Sequence, residues 1–140
     1  MPTEAEIREN LLDAGCSETE TKSILRSIIS GNLKEADTLV FATPIYYYEM
    51  SGQMKTLLDR LNPLFPSDYK FRNVYMLSTA AEDEEYVYEK ALSGLQGWID
   101  CFEKAHLTGS LFCGGINERG EAESRGKELR EAFEFGRSLQ

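Results

Sequence analysis

Three short apolar runs set the strongest limit on what this chain can become. "TLVFAT" (38–43), "NVYMLST" (73–79) and "HLTGSLFCGG" (106–115) are rich in β-branched, aliphatic or aromatic residues and bounded by turn formers. That pattern marks strands, and the continuous first run reads as a strand buried on both faces. The runs start about 34 residues apart, the length a strand, a covering helix and two connections require. Between the first two, Met54, Leu57, Leu58 and Leu61 recur at i, i+3, i+4 and i+7, the stripe of a helix lying on a sheet. "NPLFPSD" breaks that helix. Ala91, Leu95, Trp98, Ile99 and Phe102 form a second stripe, and Leu129, Ala132, Phe133 and Gly136 a third. Ahead of the first run, Thr3 with Glu6 and Ser17 with Glu20 are capping-box patterns that open two helices. Ile7, Leu11 and Ala14 share a face of the first; Thr21, Ile24, Leu25 and Ile28 follow at helical spacing on the second. Gly15 and Gly31 are expected to end them. The order is α-α-β-α-β-α-β-α. Right-handed crossovers place the three strands in one parallel sheet, with residues 1–34 as an N-terminal helical segment and 35–140 as a single α/β unit.

Length and charge narrow the function classes. With 140 residues, one domain is expected. The formal charge is −9, from 24 acidic against 15 basic residues. That excludes nucleic acid and anionic membranes as expected partners, since both need a basic face. No stretch reaches the roughly 20 apolar residues of a membrane span. "MPTEAEIREN" reads as neither a signal nor a transit peptide. Cys16, Cys101 and Cys113 are odd in number and widely spaced, as in a reduced, cytoplasmic protein without disulfide, zinc site or cluster.

Ligands of open parallel sheets bind beyond the carboxyl ends of the strands. Three segments follow those ends: "TPIYYYEMSG", "STAAEDEE" and "CGGINERGE". The first has a proline-fixed turn and a tyrosine cluster, the second the hydroxyls of Ser78 and Thr79. In the third, Gly114 and Gly115 let a ligand approach the backbone closely. A flat heteroaromatic ring suits such a rim, stacked on tyrosine and hydrogen-bonded along its polar edge. Each feature also has a plain structural reading: Tyr46–Tyr48 as packing for the next helix, the glycines as turn formers. The convergence of all three favours a binding site.

"ADTLVFATPIYYYEMSGQMKTLLDRL", with "NVYMLSTAAED" and "GSLFCGGINERGE" at the right intervals, resembles the flavodoxin-like NAD(P)H-dependent FMN reductase family over roughly residues 35–139. The Pro-x-Tyr loop running into "SGQMKTLLDR" carries most of the likeness. The resemblance implies a flavodoxin-like three-layer α/β fold, bound FMN with NAD(P)H as reductant, and a homodimer. It implies that Thr43, Pro44, Ile45, Tyr46, Tyr47 and Tyr48 lie along the isoalloxazine ring. Ser78, Thr79 and Ala80 would bond its polar edge and ribityl chain, with Gly114 and Gly115 near the ring. No protein acid or base is required, because the flavin performs the chemistry. The chain departs from the pattern at its start. Such proteins open with a strand and a Ser/Arg/Asn/Thr-rich loop around the FMN phosphate, whereas residues 1–34 read as helices. In the sheet order 2-1-3-4-5, FMN sits at the switch between strands 1 and 3; this chain supplies only the equivalents of 3, 4 and 5, an incomplete sheet of about three strands. The edge of its first strand must then be covered by the N-terminal helices or by a second subunit. Two alternatives to an FMN reductase therefore stay open: a flavin-free binding or assembly module, and a partial chain completed by a dimer partner.

The remaining candidates read as structural. His106 sits at a helix-to-strand joint with no evident partner for a triad or metal site. "AEDEEYVYEK" (81–90) is expected to be an acidic helix start. Lys55 and Asp59 are spaced to pair, Arg60 reads as surface, and Arg119 and Arg125 are candidates for a nicotinamide cofactor's phosphate.

Overall fold

The computed structural model describes residues 3–139, leaving aside the side chains of residues 4 and 24–30. Ile24, Leu25 and Ile28, expected on the inner face of the second helix, fall in that undescribed group.

Both N-terminal capping boxes form. In α1 (Glu4–Asp13) the Thr3 N–H donates to Glu6 Oε2 at 2.6 Å while the Glu6 N–H donates back to Thr3 Oγ1 at 3.3 Å. Ser17 and Glu20 repeat the exchange at the head of α2 (Glu18–Glu35). Gly15 leaves α1 at φ 88°, but Gly31 does not end α2, which continues to Glu35. One helical glycine costs only about 1 kcal/mol against alanine, and just beyond it Leu33 and Ala36 pack on the main core. That contact keeps the helix going.

The sheet has the order β2-β1-β3-β4. β1 (Thr38–Tyr46), β3 (Asn73–Thr79) and β4 (His106–Cys113) are parallel; β2 (Glu49–Met50) is a two-residue antiparallel return of β1. A bulge at Val74/Tyr75 shifts the β3–β4 register, with Thr108 as the extra residue. α3 (Gly52–Arg60) and α4 (Glu89–Ile99) cover one face. There Leu39, Phe41, Val74 and Met76 meet Leu58, Leu61, Leu95, Ile99 and the aromatic cluster of Tyr69, Phe71 and Phe102. Each such full burial contributes roughly 1.5–3 kcal/mol.

The other face is covered only in part. α5 (Gly126–Ser138) docks through Phe135, whose ring meets Tyr75 edge-on at 5.6 Å, in the space left by the missing side chain of Gly109. The stripe expected to be its core face is instead exposed: Leu129 is 48% and Phe133 66% accessible. β1 follows the same logic. Its burial alternates strictly rather than covering both faces, and Val40, Ala42, Pro44 and Tyr46 are exposed. The strand also runs three residues past its expected end, taking in Pro44, Ile45 and Tyr46. The described contacts of the N-terminal helices lie elsewhere. α2 meets the Asn62–Leu64 turn and the main core, and it anchors at the amino end of the sheet through Lys70 N–H to Lys34 O (2.8 Å) and the Lys70–Glu35 ion pair (2.6 Å). Among the described residues, no strand pairs with the outer side of β1 along 39–43. The acidic run does not open a helix directly either: residues 81–84 form a loop, and a 3₁₀ turn (Glu85–Tyr88) precedes α4.

Candidate functional site

Parallel pairing aligns the strand ends. Pro44 stands opposite Thr79, and Thr79 opposite Cys113, so the three expected loops leave from one row at one edge. A groove of about 360 Å³ opens at this row, lined by Thr43, Pro44, Ser78, Thr79, Cys113 and Ala132 among others. Among the described residues, none of α1 or α2 lines it. Ser78 is buried and its hydroxyl has no partner among the described residues. An unpaired buried hydroxyl costs roughly 1–3 kcal/mol, a cost that a polar ligand atom would offset.

The tyrosine segment is a hairpin rather than an open loop. Tyr46 pairs with Glu49, leaving Tyr47 and Tyr48 as a two-residue turn at φ 51° and 67°. Positive φ at both central residues is the geometry that Asn-Gly normally supplies; for tyrosine it costs about 1–2 kcal/mol per residue. The return strand holds the hairpin, because the Ser51 N–H donates to Thr43 Oγ1 (3.0 Å) and the Thr43 hydroxyl donates to Pro44 O (2.9 Å). Ser51 also caps α3 through the Met54 N–H. Two rings of the hairpin face solvent: Tyr46 is 61% and Tyr47 97% accessible. Tyr48 turns back, stacked on Tyr86 with centroids 6.2 Å apart and Lys90 Nζ 5.7 Å from its ring centre. Its hydroxyl donates to Glu82 Oε2 at 3.4 Å. The negative charge of Glu82 pushes the phenol pKa up, so Tyr48 stays a neutral donor.

Two of the expected residues face inward. Ile45 and Ala80 are buried with Val87 and Ala91 in a second core cluster, and together with Tyr47, Tyr48 and Glu82 they line a second, smaller cleft of about 220 Å³. The second and third loops are tied together by Ala80 N–H to Cys113 O (3.3 Å), Ile116 N–H to Ala80 O (2.8 Å) and Gly115 N–H to Glu82 O (3.1 Å). Gly114 is required by this contact: a Cβ there would lie 2.5 Å from Asp83 Cα. The Asn117 and Glu118 amides both donate to the Glu121 carboxylate, which holds its pKa below the usual range. Every amide from Gly115 to Glu118 is thus spent within the chain. The third loop therefore leaves no amide nest for a phosphate. Arg125, a candidate for a nicotinamide phosphate, turns inward onto the Gly114 and Gly115 carbonyls; Arg119 is exposed.

Local spacing carries no signal for Ala132 or Tyr86, which reach the site only through tertiary contacts, whereas Cys113 follows from its place at the strand end before Gly114. Burial pushes the Cys113 thiol pKa up, and Glu128 and Glu131 add to the shift; the thiolate is the reactive form. At pH 8 a thiol reagent is expected to consume the exposed Cys101 well before Cys113. Mass spectrometry of labelled peptides checks this, and equal rates at the two cysteines would contradict the burial of Cys113.

Residues 5–91 match a family model described as NADPH-dependent FMN reductase. No curated protein matches the chain in sequence. Among solved structures, it is similar to the Trp repressor binding protein from Bacillus subtilis (18% identity, TM-score 0.63, covering 76% of this chain and 72% of that one). It is similar to an NAD(P)H:quinone oxidoreductase from Methanothermobacter marburgensis (21%, 0.66, 82% and 62%). It is also similar to an FMN-dependent NADH-azoreductase from Bacillus anthracis in complex with FMN (14%, 0.56, 96% and 72%). At these identities the likeness establishes the fold, and the chain spans 62% of the quinone oxidoreductase's length.

Proposed function

Because the chain belongs to the NADPH-dependent FMN reductase family, we propose that it binds FMN along the tyrosine hairpin and serves as an FMN-dependent NAD(P)H oxidoreductase. The observation that carries this reading is the in-register row of Pro44, Thr79 and Cys113, which brings the three loops to one edge beneath exposed tyrosine rings. Bound FMN supplies the redox chemistry, taking a hydride from NAD(P)H and passing electrons to an acceptor. The protein binds and orients. Pro44 and Tyr46 offer an apolar wall, and Tyr47 presents an exposed ring beside it. The backbone of Ile45–Tyr48 runs along the ring. Ser78, Thr79 and the backbone at Ala80 meet its polar edge and ribityl chain, and Gly114 and Gly115 allow close approach. Residues 35–140 form the unit that carries the activity. Three free cysteines suit a reducing, cytoplasmic setting. Among the described residues no helix is long and apolar enough to cross a membrane.

Titration of the purified protein with FMN, followed by flavin fluorescence, tests this reading. Quenching with a Kd near or below roughly 1 μM, about 8 kcal/mol of binding, is expected, followed by anaerobic bleaching with NAD(P)H. A Kd above roughly 1 mM, about 4 kcal/mol, would leave the flavin-free module as the better account.

One observation favours a second copy as the partner: the exposed face of β1 (Val40, Pro44, Tyr46) and the exposed Leu129 and Phe133 of α5 form apolar surface on one side of the sheet. Sedimentation with FMN present is expected to give the mass of two chains. A monomer that binds FMN at all concentrations would remove the dimer from this account.

A further inference from the structure

We propose that Arg125 is a positioning residue for the flavin rim, a latch that fixes the Gly114–Gly115 turn from beneath. The assignment rests on the FMN reading above for its function, but not for its geometry. Arg125 Nη2 donates to Gly115 O at 2.7 Å and to Gly114 O at 3.3 Å. Charge-assisted bonds of this kind are roughly twice as strong as neutral ones. Gly115 makes the approach possible: it sits at φ 67°, and a Cβ there would lie 2.6 Å from Nη2. The backbone of Arg125 is itself fixed at the head of α5, donating from its N–H to Ala122 O (3.1 Å) and accepting from the Leu129 N–H (2.9 Å). Since α5 docks on the sheet through Phe135 and Tyr75, the guanidinium ties the rim to an element anchored elsewhere in the core.

Arg125 gives up water to do this. Its Nε is buried and has no partner among the described residues, whereas an arginine serving only solubility would keep all its donors hydrated. The two carbonyls it holds follow the β4 residue in the row beneath the ring. The same turn places the Gly115 N–H on Glu82 O and the Ile116 N–H on Ala80 O. Releasing Arg125 therefore loosens the third loop first and the contact between the second and third loops with it. In this position it shapes the rim and does not meet a nicotinamide phosphate.

The test is amide hydrogen exchange at Gly115 and Ile116 in flavin-free protein, with FMN titration of the same samples. Arg125→Gln is expected to exchange roughly tenfold faster at these two amides, with the β1–β3 ladder unchanged. Its FMN Kd is expected to rise roughly tenfold, as a rim populated less often in its binding shape requires. Arg125→Lys, which keeps the charge but not the fork, is expected to fall between the two. It carries both measurements if the glutamine variant does not fold. Unchanged exchange overturns the latch. Faster exchange with unchanged FMN affinity overturns the positioning role. A raised KM for NADPH with unchanged exchange overturns it in favour of direct phosphate contact. If the native chain binds no FMN, the functional reading falls and exchange alone judges the latch.

Discussion

Gly114→Ala is expected to weaken FMN binding by roughly 10- to 100-fold while the rest of the fold persists. The added methyl would stand 2.5 Å from Asp83 Cα and 2.7 Å from Glu82 O. Both are backbone atoms, so no side chain can swing aside to relieve the clash. Either the second and third loops part, or the strand end moves. Overpacking of this kind costs roughly 1–3 kcal/mol, and each 1.4 kcal/mol is about tenfold in an equilibrium constant. Because the clash falls on the loops that form the rim, the cost appears mainly as a loss of the binding-competent shape. Gly126→Ala is the control, since a Cβ there meets nothing within 4 Å. Paired FMN titrations decide the matter. Equal affinities for the two variants would mean that the Gly114 contact does not shape the site.

Phe71→Ala is expected to remove about 3–5 kcal/mol of stability, out of the roughly 5–15 typical of a domain. Phe71 has no solvent exposure. Its ring lies 4.5 Å from Tyr69, 5.4 Å from Phe102 and 6.2 Å from Trp98, centre to centre. Trp98 in turn meets Phe41 of β1 at 5.5 Å, so this one side chain joins the entry to β3, the helix α4 and the first strand. The same cluster seats the Tyr69 hydroxyl, which accepts the Lys104 N–H at 3.0 Å just before β4. Truncation leaves a cavity bounded by rigid rings that cannot collapse into it, which puts the cost at the upper end of its range. Urea denaturation reads the loss directly. A change below about 1.5 kcal/mol would show that the cluster repacks and is not the keystone of the sheet.

Much of this fold was legible in the residues because local spacing is a local demand. The runs at Thr38, Asn73 and His106 did become parallel strands, and the stripes of α3 and α4 did bury Leu58, Leu61, Ala91, Leu95 and Ile99. Thr3–Glu6 and Ser17–Glu20 closed as capping boxes, since every atom involved lies within one helical turn. The candidate site was legible as a list: the strand ends fall in one row, so the loops after them share an edge. Ile45 and Ala80 belonged to those loops by position, and they pack into the second core cluster while lining a small cleft beside Tyr47 and Tyr48. No spacing records which way a residue near a strand end will turn.

What periodicity cannot state is whether a demand for burial is met. Val40 on β1, and Leu129 and Phe133 on α5, carry the apolar pattern of covered positions and remain exposed, because coverage depends on a neighbour brought from elsewhere in the chain. The same holds for the site's finer features. Residues 44–46 extend β1 because Tyr46 and Ile45 find Glu49 and Met50 across the hairpin. Arg125 points inward because the turn at Gly115 leaves room beneath it and offers two carbonyls. The residues themselves determined the strands, the helices and the edge at which a ligand can sit, through interactions that close within a few positions. The tertiary structure alone decided which faces stay open and what holds the rim, since those energies arise between groups that meet only once the chain has folded.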